Sequence, residues 1–367
     1  MTTGARMPSR SVRAGLARAA MREAGAIFTQ AIPVSLWRHL LPQPALCPCY
    51  HMVSDTPVPH VKHYPFLNSA EFERDLRDLE TRFPYATYEE ILNGGSGGVA
   101  DRPTSICLTF DDGFAESASV VRPILLRRNA ACIFFIVTDL IGNKVVFSET
   151  KASLCAEAAL GLPASEIDAT VDALGLRSRL MTAERLARVP AQMGKHWLSF
   201  PQPAQPLLIW LMTAQPEDTA RLDELCERLG VDAEAYVRRV KPYLTAEQIL
   251  ALRADGFTIG AHSRSHRRLQ EMSRAEAEEE IVESCRIIHN LTGEASVPFA
   301  FPYFGWGLDR SWLEDLRRRH PFIGLFFDTG GFRRDAPFVV QRMFGERMET
   351  TGPMDRLLRR AWARRLA

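Results

Sequence analysis

Five short apolar runs, at residues 105–110, 131–138, 257–261, 297–301 and 322–327, constrain the fold of this chain more than any other feature. Each has the length of a strand and little polar alternation, so each reads as a strand buried on both faces. Helical patterns fill the gaps between them. Asn68 and Glu71 form a capping pair ahead of Phe72, Leu76 and Leu79, and residues 114–128 carry Val120, Val121, Ile124 and Leu125 at helical spacing. Thr245 and Gln248 cap a short helix; Ser273 and Glu276 open a long one that places Ala277, Ile281, Cys285 and Ile288 on one face. Weaker strand signals lie at 45–51, 85–87 and 338–340. Alternation of strand and helix predicts an α/β protein with a mainly parallel sheet, open or closed.

Residues 139–243 break this rhythm. Strand signals give way to Ala, Leu, Glu and Arg at helical spacing, interrupted by Gly161, Gly175, Pro190, Pro201, Pro203, Pro206 and Gly230, which predicts a helical insertion. Its aromatic and aliphatic middle, at 196–200 and 207–212, must be buried either in a small core of its own or against a substrate cleft. Residues 1–45 form a basic leader or helix without a clear cleavage site, so the expected compartment is the cytoplasm rather than the exterior. The basic end at 356–365 is a candidate for peripheral membrane contact. With 45 basic and 44 acidic residues in 367, the chain has no charge bias suited to nucleic acid. The seven cysteines have no metal-finger spacing and read as buried or free thiols. Nothing in the sequence assigns an oligomeric state.

Two clusters carry chemistry. Thr109-Phe110-Asp111-Asp112-Gly113 places adjacent carboxylates at the carboxyl end of a strand, the edge where α/β folds bind ligands. Like charges held together call for a cation or a shared proton, although a turn whose aspartates cap the next helix is the plainer alternative. His262 and His266 follow another strand, four residues apart, a spacing that lets two imidazoles converge on one ion. Two histidines and one aspartate would make a three-ligand site with an open position, which is the catalytic kind. A magnesium site for phosphoryl transfer is disfavoured by the histidine pair.

Thr109 to Gly113, His262-Ser263-Arg264-Ser265-His266 and Phe299-Ala300-Phe301-Pro302-Tyr303, in that order, resemble the successive motifs of polysaccharide deacetylases of the NodB-homology type, carbohydrate esterase family 4. Tyr50-His51-Met52-Val53 is similar to the branch that includes poly-N-acetylglucosamine deacetylases. The resemblance spans residues 46–137 and 244–343 and implies a distorted (β/α)7-type barrel over 46–367, interrupted by the 139–243 insertion. It implies a divalent metal, zinc first, with nickel, cobalt or iron as alternatives, held by Asp112, His262 and His266. Asp111 maps to the general base and the amide of Tyr303 to the oxyanion donor. The implied activity is removal of N-acetyl groups from an amino-sugar glycan or glycan precursor, with an N-acetylated saccharide as partner.

Two departures bear on that reading. Ala300 stands where many members carry an arginine that orients the base, and Arg342 in the last strand is the expected replacement. No histidine follows His320 to serve as the late general acid, which leaves His51 as its substitute. The same departures keep two rivals in view: a non-catalytic saccharide-binding protein on this fold, and a hydrolase of a small non-sugar amide.

Overall fold

The computed structural model describes residues 45–94, 105–180, 182, 204–214, 218–331 and 333–346. The basic leader, residues 196–200 and the basic end at 356–365 lie outside these residues.

Eight parallel strands carry the architecture: β1 (Ala45–Tyr50), β2 (Ser105–Ile106), β3 (Leu108–Phe110), β4 (Cys132–Ile136), β5 (Thr258–Ala261), β6 (Val297–Ala300), β7 (Ile323–Asp328) and β8 (Val339–Phe344). β1 pairs with β3 on one side and β8 on the other, so β1 and β3 to β8 close into a seven-stranded barrel, while β2 adds to β1 beside β3. The fold is thus a distorted (β/α)7 barrel. Helices α1 (Ser69–Glu80), α2 (Tyr88–Gly94), α3 (Arg122–Arg128), α9 (Ala246–Ala254), α10 (Arg274–Thr292) and α11 (Arg310–Arg319) connect the strands. Capping boxes open three of them, at Asn68 and Glu71, Thr245 and Gln248, and Ser273 and Glu276.

Period-two alternation sorts the strand side chains. Tyr50 and Phe110 point outward onto Phe72 of α1, with ring centroids 5.2 and 5.5 Å from it. The neighbouring positions face the lumen, where Phe135 of β4 meets Phe327 of β7 at 5.1 Å. Phe135 fills the lumen so fully that a Cβ at Gly260 of β5 would come within 2.5 Å of its ring. The barrel is therefore plugged by aromatic packing, and chemistry is confined to the strands' carboxyl ends.

Between β4 and β5 run α4 (Ser148–Leu160), α5 (Ala164–Ala173), α6 (Gln205–Met212), α7 (Thr219–Arg228) and α8 (Ala233–Val240). α6 is buried from Leu207 to Met212 in a second core with Cys155, Ala159, Val171, Leu222 and Leu225. That answers where the apolar residues at 207–212 go: mostly into the insertion itself. α4 is the exception, because its opposite side meets Tyr243 at the insertion's exit and the loop after β1. Thr150 shares a 2.6 Å hydrogen bond with Tyr243, and Ser153 meets the His63 imidazole at 3.2 Å.

Several boundaries differ from expectation. The run at 105–110 is split at Cys107 into β2 and β3. Residues 85–87 form only one bridge, Tyr85 to Ile106. The helix expected over 114–128 begins as a π-turn at Ser117–Val121 and becomes α-helical at Arg122, where Pro123 lacks the amide needed to continue the ladder. β8 runs to Phe344 rather than stopping at Val340. Its Gln341 and Arg342 look like a strand's polar exit but are buried, because each meets polar partners: Arg342 pairs with Asp111 in the barrel mouth, and Gln341 on the opposite face bonds the Gly330 amide and Asp335.

Candidate functional site

The ladder of β3 continues into Asp111, whose amide donates to Tyr50 O at 2.9 Å. The chain then turns sharply through two left-handed residues, Asp112 (φ 69°) and Gly113 (φ 74°), which sends the adjacent carboxylates in different directions. Glycine suits the second position, since a Cβ there would also press within 3.2 Å of the Ile136 side chain. Ser263, His266 and Tyr303 also adopt positive φ, so four of the seven such non-glycine residues among those described cluster here. Backbone strain of this kind, about 1–3 kcal/mol per residue, persists where the surroundings over-determine it.

Asp111 enters the barrel mouth and meets Arg342 in a bidentate pair, Nη1 to Oδ1 at 2.6 Å and Nη2 to Oδ2 at 2.9 Å. Arg342 also donates to Thr109 Oγ1 at 3.3 Å and stacks over Phe135, so its guanidinium plane is fixed from three sides. Burial alone would raise the Asp111 pKa; the Arg342 charge, with smaller help from His262, outweighs it and holds the carboxyl well below its ordinary range. The Cys49 thiol, pushed far up by burial, donates to Asp111 Oδ2 at 3.3 Å.

Asp112 turns toward the histidines. Its Oδ1 lies 3.5 Å from His262 Nε2 and 3.4 Å from His266 Nε2. The other nitrogen of each ring is tied to an acceptor: His262 Nδ1 donates to Ala300 O at 2.9 Å, and His266 Nδ1 to Glu149 Oε1 at 3.1 Å. Acceptors at both Nδ1 atoms require N–H there, which leaves both Nε2 lone pairs directed toward Asp112 in the neutral tautomer. Burial holds His262 down at about 4 and therefore neutral. For His266 the pull of burial is outweighed by Glu149 and Asp112, which raise it. Asp112 Oδ1 is buried without a hydrogen-bond partner, while Oδ2 accepts from Tyr64 at 2.7 Å. A buried carboxylate oxygen facing two lone pairs is unfavourable by itself and becomes favourable around a cation. One ligand atom from each of the three residues lies within 4.8 Å of the others, so the set fits a divalent ion.

His51 follows β1 on the same rim. Its Nδ1 meets Glu346 Oε2 at 2.7 Å, and its backbone amide donates to Glu346 Oε1. Burial pulls the imidazole down, but Glu346 reverses this and lifts the pKa to about 9. Tyr64 stacks on the ring with centroids 4.2 Å apart. A ring nitrogen of His51 lies within 4.8 Å of an Asp111 carboxylate oxygen. Tyr303 follows Pro302 at the end of β6; its hydroxyl donates to Glu149 Oε1 at 2.5 Å, and Arg268 stacks 4.2 Å over its ring.

All seven residues singled out from the sequence, His51, Asp111, Asp112, His262, His266, Tyr303 and Arg342, thus converge on one rim. Three partners carried no comparable signal. Tyr64 sits in a loop, Glu149 opens a helix of the insertion, and Glu346 follows the last strand; none belongs to a motif. His63 is also near the site: Glu149 and Asp112 partly offset the downward pull that burial exerts on its pKa.

The polysaccharide deacetylase family profile matches residues 210–315. Among solved structures, the deacetylase PplD of Streptococcus pyogenes, in complex with acetate, is similar with a TM-score of 0.50 and 13% identity over 86% of this chain and 97% of its own. IcaB from Ammonifex degensii gives 0.47 and 15% over 88% and 98%, and a Bacillus cereus polysaccharide deacetylase 0.48 and 12% over 87% and 69%. No curated protein sequence matches significantly. The likeness to PplD is one of fold. The resemblance to polysaccharide deacetylases read from the motifs is matched by that profile over residues 210–315, which include His262, His266 and Tyr303.

Proposed function

Starting from that polysaccharide deacetylase resemblance, we propose that the protein is a metal-dependent hydrolase that removes N-acetyl groups from an amino-sugar glycan or glycan precursor. The observation that carries this reading is the partnerless Asp112 Oδ1 between two Nε2 atoms, beside a carboxylate clamped by arginine.

A divalent ion held by Asp112, His262 and His266 would polarise the acetamide carbonyl and acidify water at the open position. Asp111 takes the proton from the attacking water. Arg342 and Cys49 together occupy three acceptor directions of its carboxylate, which leaves one for that proton and fixes the oxygen's orientation. The tetrahedral oxyanion is received by the amide of Tyr303, in the role that the motif resemblance implies. His51, protonated at neutral pH through Glu346, gives its proton to the departing amine.

Two contacts support a catalytic reading despite the departures that motivated a non-catalytic one. Arg342 grips Asp111 in place of the arginine absent at Ala300, and the His51–Glu346 pair supplies an acid without a late histidine. The test is acetate release from a panel of N-acetylated saccharides and small amides after reconstitution with Zn²⁺, Co²⁺ or Ni²⁺. Release from saccharides but not small amides supports the reading. Metal uptake without acetate release from any of them would leave a binding protein.

A further inference from the structure

The two histidines facing Asp112 are braced from different parts of the molecule. His262 leans on Ala300 O, a carbonyl of the neighbouring barrel strand, whereas His266 leans on a carboxylate from outside the barrel. We propose that Glu149 is a positioning residue for His266 and that the helical insertion thereby completes the metal site. This rests on the metal-dependent reading above.

Glu149 is not placed to be a ligand. It meets His266 at Nδ1, across the ring from the Nε2 that faces Asp112. An imidazole held at Nδ1 by a carboxylate is locked in the tautomer and ring orientation that expose Nε2, and it becomes a stronger donor than one held by a carbonyl. Glu149 Oε1 also accepts from the Tyr303 hydroxyl, so one oxygen ties the second histidine to the loop after Pro302. The Phe147 ring stands edge-on to His266 at 5.5 Å and closes the remaining freedom.

The carboxylate is itself fixed. It lies in the first turn of α4, where the next residue, Thr150, is pinned by its hydrogen bond to Tyr243 at the insertion's exit. One turn further, Ser153 accepts from the Lys62 amide at 3.2 Å and bonds His63. The other side of α4 packs through Ala152, Cys155, Ala156 and Ala159 into the insertion's own core. Folding of that second core thus delivers Glu149 to His266. The ordinary alternative is that Glu149 only places a negative charge at a helix N-terminus, a stabilising role unrelated to the metal.

Zinc affinity separates the two without reference to turnover. Apoprotein is titrated with Zn²⁺ against a chromophoric chelator, and the visible spectrum of the Co²⁺ form is recorded. Glu149→Ala is expected to weaken Zn²⁺ binding about 10–100-fold and to alter the Co²⁺ bands. Glu149→Gln, which keeps an acceptor but no charge, should recover part of that loss. Lys151→Ala, on the same helix, removes the Asp223 ion pair and should leave affinity unchanged. If Glu149→Ala does not fold, the isosteric Gln variant carries the test through its own weaker binding. Wild-type affinity and spectrum in the folded variants, even with lower thermal stability, would overturn the inference alone. Failure of the wild-type protein to bind any divalent ion would overturn both it and the metal-dependent reading.

Discussion

Asp111 and His266 stand on the same rim but are held in contrasting ways. Asp111 is oriented by Arg342, two strands away in the barrel wall, where parallel pairing on both sides of β1 sets the register. His266 is oriented by Glu149, which reaches it from a helix with a separate core. His51 belongs with the second group, as does the Tyr64 contact that steadies Asp112, since Glu346 follows the last strand and Tyr64 lies in a loop. Groups tied strand to strand inherit the rigidity of the sheet, and changing them damages the barrel as well as the chemistry. Groups tied to loops and the insertion can be altered while the barrel remains closed.

The largest effects should fall on the strand-borne side. Asp111→Asn is expected to lower acetate release by roughly three orders of magnitude or more while zinc content, by elemental analysis, stays near wild type. Asp112→Ala should lose the metal itself, and equal metal loss in both variants would erase the division between the two aspartates. Arg342→Ala strands a buried carboxylate and should cost about 3–5 kcal/mol in urea unfolding. A loss under about 1 kcal/mol would show that the clamp is not part of the barrel's stability.

The loop-borne side should respond more gently. His51→Gln is expected to reduce turnover around a hundredfold with zinc binding intact; near-normal rates would remove His51 as the acid. Glu346→Gln should act through pH. In the wild type the His51 pKa is raised to about 9, so the protonated acid is present at neutral pH and lost as pH rises through about 9. The stability that this pair contributes follows the same course: full below the ordinary value near 6.5, and lost as pH passes about 9. Without Glu346 the downward pull of burial is opposed only by the charges of Asp112 and Asp111, and the alkaline limb of the rate profile should move down from about pH 9. An unmoved limb would break the His51–Glu346 assignment. Smallest of all, Tyr64→Phe removes one hydrogen bond to Asp112 Oδ2 and should weaken Zn²⁺ by up to about tenfold in the same chelator titration.

The contrast also governs what could be read from the sequence. Strands such as Cys132–Ile136 and Ile323–Asp328 are legible because both faces are buried and the apolar run is unbroken. Asp111, Asp112, His262 and His266 are legible because each follows such a run, and strand ends share a rim. The strand pattern of β8 ends early because Gln341 and Arg342 are polar, and local pattern cannot reveal that their surroundings are polar as well. Tyr64, Glu149 and Glu346 are illegible for a related reason. Their partners lie 48, 117 and 295 residues away, and nothing in their own neighbourhoods distinguishes them from other loop or helix-start residues.

Closure of the barrel through β1 and β8 has a consequence for the order in which the protein comes into being. Synthesis runs from the amino end, and structure forms as segments emerge. Asp111 waits for a partner 231 residues downstream, and His51 for one 295 residues downstream. A nascent chain that has delivered everything through β7 already holds Asp112, His262, His266 and Glu149, but it has neither an oriented base nor a paired acid. If Asp112, His262 and His266 hold a metal as proposed, its capture would precede competence, and the final strand, with Glu346 just behind it, would arm a centre assembled in advance.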